Sequence, residues 1–109
     1  MKRGKTVMGK PFEYKGSLDT GISVHFGDSG EDWFIPPAII EVIKAEIATR
    51  SPVLMGASRK PLVKESVGET LYREYGFSPM AMTYVLPLLI KAGYCTISPK
   101  RPFLISIVR

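Results

Sequence analysis

Residues 66–98 hold two helix-length segments joined by only a few residues and followed at once by strand-like alternation, an order that leaves few ways to fold. Ser66 and, three residues on, Glu69 form an S-x-x-E capping box, in which each side chain bonds the other's exposed backbone amide. The helix they open is expected over residues 67–75. Val67, Leu71 and Tyr75 share one stripe of it, and Gly76 supplies the left-handed residue that ends many helices. Ser78 and Pro79 repeat the start signal, a polar cap followed by a proline whose missing amide costs nothing in a first turn. The helix beginning there would bury Met82, Val85, Leu86, Leu89 and Ile90, kink or end early at Pro87, and stop at Gly93. Beyond Gly93 the apolar period becomes alternating. Residues 94–98 and 103–108 read as strands around Pro99-Lys100-Arg101-Pro102, so the chain closes as a hairpin with a basic tip.

Upstream, Pro36 and Pro37 mark another helix entrance, and Ile39, Ile40, Val42, Ile43 and Ile47 follow at helical spacing until Arg50, just before Ser51-Pro52. Residues 52–64 read as loop, with room for a short strand at 53–55 or 62–64. The first ten residues lack an apolar period and are expected to form a mobile arm, with order beginning near Phe12. Residues 12–15 and 22–26 alternate around a turn-rich stretch at 16–21, which suggests a hairpin. An acidic loop at 27–32 then leads to Trp33 and Phe34, expected in the core or as a hydrophobic staple. The expected division is a basic arm with a β-hairpin extension at 1–35 and a helical unit at 36–109.

A chain of 109 residues builds one core, and its 45% hydrophobic and 23% charged residues are those of an ordinary globular protein. No apolar stretch approaches the roughly 20 residues a membrane span needs, and no secretory apolar run follows the basic N-terminus, so a cytoplasmic protein without membrane contact is expected. One cysteine, Cys95, and one histidine, His25, give neither a disulfide nor a Cys/His metal cluster. Asp28, Glu31 and Asp32 lack calcium-loop spacing, and the glycines form no phosphate-binding loop. No catalytic constellation, cofactor or metal is expected, and His25 and Cys95 read as structural.

Charge is spread unevenly. Residues 1–15 carry five cations against Glu13, residues 16–55 carry two against six acids, and residues 56–109 carry eight against three, giving +4, −4 and +5. Basic ends around an acidic middle favour a polyanionic partner.

The stretch SVGETLYREYGFSPMAMTYVLPLLIKAGYCTIS resembles the winged helix-turn-helix superfamily of regulators: small residues in the first helix, glycine at the turn, Ser-Pro opening the recognition helix, and Leu-x-x-Leu-x-x-x-Gly-Tyr leading to the wing. The resemblance implies an α+β winged helix-turn-helix of three helices and a C-terminal β-hairpin wing, with the N-terminal β-hairpin as an extension. It implies DNA as partner, with RNA as an alternative, and a homodimer is compatible with it. Ser78 would cap the recognition helix, and Met80, Ala81, Thr83, Tyr84 and Lys91 would face outward toward a groove. Lys100 and Arg101 at the wing tip, with Arg59, Lys60 and Lys64 ahead of the first helix of the pair, would neutralise phosphates. Residues 80–86 contain no Arg, Lys, Asn or Gln, the side chains of strong bidentate base contacts. That apolar front leaves a second reading open, an adapter presenting Met80, Tyr84 and Leu88 to a protein partner.

Overall fold

In the computed structural model, which describes residues 1–108, the chain is α+β, with three helices and two antiparallel sheets. The N-terminal third is a four-stranded meander of β1 (Lys2–Lys5), β2 (Pro11–Ser17), β3 (Gly21–Phe26) and β4 (Glu31–Ile35), paired in sequence order. Then come α1 (Pro37–Arg50), β5 (Val53–Leu54), α2 (Val67–Tyr75), α3 (Ala81–Lys91), β6 (Cys95–Ile97) and β7 (Leu104–Ile107), with the second sheet in the order β5-β7-β6.

The arm and the simple hairpin expected at the N-terminus are both corrected. Residues 2–5 pair with β2 in the register Lys2 to Tyr14 and Lys5 to Pro11, and residues 31–35, in part assigned to a loop, complete the sheet against β3. A strand made of Lys-Arg-Gly-Lys shows no apolar alternation because it lies at a sheet edge, where cations are tolerated. Lys2 is nevertheless held: its Nζ donates to the Gly16 carbonyl at 2.7 Å and lies over the Tyr14 ring.

One face of the meander turns inward. Phe12, Tyr14, Ile22, Val24 and Ile35 join Ile39, Ile40, Ile43 and Ile47 of α1, Leu71 of α2, Met82, Val85, Leu86 and Leu89 of α3 and Ile105 of β7 in one buried cluster. The radius of gyration, 12.9 Å, matches the roughly 13 Å of a single domain of this length, so sheet and helices form one packed unit. Each such Ile or Leu contributes about 1.5–3 kcal/mol relative to exposure. Phe34, expected in the core or as a hydrophobic staple, lies on the outer face of β4 and stays 53% exposed.

Helix boundaries follow local chemistry. Pro36 and Pro37 open α1, and Ser51 closes it by donating its backbone N–H to the Ile47 carbonyl. At α2 the Ser66 hydroxyl accepts from the Glu69 amide at 3.0 Å, while the Glu69 carboxylate reaches past Ser66 to accept from the Glu65 amide at 3.0 Å. Gly76, at φ 62°, ends α2 by donating back to the Tyr72 carbonyl. α3 begins three residues later than Ser78: that residue's hydroxyl accepts from the Met80 amide at 3.2 Å, and a tight turn of i to i−3 bonds carries the chain into the helix. The helix runs through Pro87 to Lys91, as expected of a stop at Gly93 and without the early end that was the alternative to a kink, and Leu86, Leu88 and Leu89 bury their side chains on both sides of the proline.

Candidate nucleic-acid interface

The sequence places a reading surface on α3, and the structure seals that surface. Every residue from 81 to 90 is buried or half-buried. Ala81 and Leu88, expected to face a groove or a protein partner, are buried, so neither can contact one. Tyr84 inserts beneath the N-terminal sheet, its ring 5.2 Å from Phe12 and 5.9 Å from Phe26, both edge-on, and 6.2 Å from Trp33. Removal from water pushes its phenol above the ordinary range. Trp33 also stacks on Phe77 of the α2–α3 connection, at 5.6 Å and 14°. Phe12, Phe26 and Trp33 of β2, β3 and β4 thus surround Tyr84, and Phe77 of the α2–α3 connection stacks on Trp33. Ser78 is spent on the turn before α3, Met80 remains exposed beside it, and exposed Lys91 lies eight residues beyond Thr83, about 12 Å along the helix.

The loops present a different picture. Arg101, at the tip between β6 and β7, donates from Nη2 to the Met8 sulfur at 3.4 Å, bringing the basic tip against the turn at residues 6–10. That turn is closed by Thr6 and Lys10, with the Thr6 amide donating to the Lys10 carbonyl at 2.8 Å and the Lys10 amide donating to the Thr6 hydroxyl at 3.0 Å. Lys5 and Lys10 therefore flank the turn that touches Arg101, and Lys100 stands next to it. Between turn and tip opens a cavity of about 660 Å³, bounded also by residues 54–58, Val63 and Thr83. Arg59 and Lys60 continue from the Ser58 wall, exposed; Lys64 is exposed toward the start of α2.

Among the described residues, these cations share with Lys2, Arg3, Lys15, Lys64 and Lys91 the lack of an ion-pair partner. Among the described residues, carboxylates lie close to Lys44, Arg50, Arg73 and His25, but to none of Lys5, Lys10, Arg59, Lys60, Lys100 and Arg101. On the outer face of the meander the register sets Arg3, Glu13, His25 and Asp32 in one cross-strand row, and His25 Nδ1 meets Asp32 Oδ1 at 2.7 Å. The far side of the 6–10 turn also faces acids, since a second hollow of about 770 Å³ is lined by Lys10 together with Asp28 and Glu31. The side of the turn that faces Arg101 has no acidic residue among the lining of its cavity.

Sequence reasoning included Lys100, Arg101, Arg59 and Lys60 but missed Lys5, Lys10 and Met8, which it left in a mobile arm. The available signal was Gly9 after Thr6-Val7-Met8, a tight turn between a basic strand and Phe12. Cys95 is buried, and burial pushes its thiol up to about 11, which keeps it protonated and inert. No helix is long and apolar enough to cross a membrane. Comparison of the chain with known protein families, with curated proteins and with solved structures finds no match.

Proposed function

We propose that the chain binds nucleic acid as a winged helix-turn-helix protein whose third helix is occupied by its own N-terminal sheet, so that basic loops make the contact. The fold reading is supported by the order α1-β5-α2-α3-β6-β7 and by β7 lying between β5 and β6, with the β6–β7 turn as the wing. The observation that carries the functional reading is the contact between Arg101 and Met8. It brings the turn flanked by Lys5 and Lys10 next to the tip that carries Lys100 and Arg101, and no carboxylate among the described residues forms an ion pair with these four. Cations on loops neutralise phosphates without reading bases, so binding is expected to be salt-sensitive and indifferent to sequence. Duplex DNA is the partner favoured, and RNA is the comparison arm of the test.

Affinity for a random-sequence duplex should fall linearly on a log–log plot between about 50 and 200 mM salt. Replacing Lys5, Lys10, Lys100 and Arg101 together with alanine should flatten that slope by about three to four and weaken binding near 0.1 M salt roughly a thousandfold. No binding by the native chain at low salt, or an unchanged slope in the variant, would overturn the reading.

A further inference from the structure

The cavity between the 6–10 turn and the β6–β7 tip has a chemistry of its own that phosphate neutralisation does not use. Its walls are Val7, Met8, Met55, Val63 and Phe103, and the one charged side chain among its lining residues is Arg101 at the mouth. About 660 Å³ falls within the range of sites that hold small molecules, which are usually lined by apolar side chains with a few placed polar groups. The guanidinium has no carboxylate partner among the described residues; its one side-chain acceptor there is the weak thioether of Met8. Thr83, half-buried among the lining residues, makes no side-chain hydrogen bond to the described residues, and its hydroxyl is free to donate. An apolar chamber with one unanswered planar cation complements one class of molecule.

We propose that this cavity binds a small amphipathic carboxylate, its apolar body between Met55, Val63 and Phe103 and its carboxylate on Arg101. A guanidinium presents parallel N–H donors that fit a carboxylate in a bidentate pair, a better acceptor than a thioether sulfur. Met8 and Met55 are flexible enough to close on an alkyl or aryl body. The ligand would bridge the basic turn to the basic tip and fix their spacing. The site shares Arg101 with the proposed phosphate contact, and its titration is read without nucleic acid, so either reading can fail alone.

Methyl-labelled methionines test it, because the five methionines report different places. Titration of the full chain with sodium decanoate should give saturable shifts of the Met8 and Met55 methyls and leave exposed Met80 and buried Met82 in place. Arg101→Gln lies on an exposed turn and should weaken decanoate about tenfold while leaving 1-decanol, the uncharged counterpart, within twofold, as expected for loss of a charge-assisted bond. Val63→Trp should block both, with the Met82 methyl position verifying that the variant is folded. Shifts that spread equally to Met80, or a decanoate affinity unchanged in Arg101→Gln, would overturn the proposal even if Val63→Trp fails to fold.

Discussion

The two helices α2 and α3 begin with similar sequence signals and are held by different forces. α2 is fixed locally: Ser66 and Glu69 bind the amides around its first turn, Gly76 ends it, and Tyr72, Arg73, Glu74 and Tyr75 remain exposed. α3 has no side-chain cap at its first residues and a proline inside it, and it persists because the meander, α2 and β6 cover it. A helix held by capping can spare a face for a partner. α3 has no exposed residue between 81 and 90, which moves the candidate interface from it to the loops around it.

The largest expected effect breaks α3 away from the sheet. Tyr84→Ala removes the ring that touches Phe12, Phe26 and Trp33, and it should cost about 3 kcal/mol in denaturant unfolding. A loss of only a few tenths would mean that the sheet does not hold the helix. Next is a change of sign inside α2. Alanine usually stabilises a helix interior relative to glycine by about 0.5–1 kcal/mol, but a Cβ at Gly68 would overlap the Gly56 carbonyl oxygen and crowd Pro79. Gly68→Ala should therefore destabilise by about 2 kcal/mol, and a rise in melting temperature would refute that close approach.

The smallest effect is titration of the α2 cap. The Glu65 amide, and then Arg73, hold the Glu69 carboxyl below its ordinary value. A depressed pKa gives stability that is present above the unfolded-state carboxylate pKa and lost as pH falls through the folded one. The difference in melting temperature between the native chain and Glu69→Gln, which keeps an acceptor but no charge, should shrink as pH drops below the carboxylate range. A constant difference would separate the cap from the charge.

How much of this was readable in the sequence follows from the same contrast. Short-range chemistry was legible: Pro36-Pro37 placed α1, the Ser66/Glu69 pair and Gly76 bounded α2, and alternation after Gly93 gave the β6–β7 hairpin with its basic tip. Long-range chemistry was not. Nothing in Lys2-Arg3-Gly4-Lys5 signals a strand, because its pairing depends on β2 as template and its side chains face water at an edge. Ala81 is buried and Tyr84 packs under the sheet for a related reason: helical period identifies a buried side, but a second covering layer from residues 1–35 is invisible to it. The absence of Arg, Lys, Asn and Gln from residues 80–86 was the trace of that layer, since a helix front that meets aromatic side chains needs no polar group. In the candidate interface, the cations of the wing tip were readable as exposed charge, whereas their junction with Lys5 and Lys10 depends on a contact 93 residues apart in the chain.

Backbone amide shifts on addition of a random-sequence DNA duplex test most directly whether loops or α3 meet the nucleic acid. The account predicts perturbations at residues 5–10 and at Lys100 and Arg101, with those of 81–90 unmoved and Tyr84 still packed under the sheet. Shifts concentrated in α3, accompanied by loss of the β1–β2 pairing, would show that the sheet lifts to release a reading helix and would contradict it.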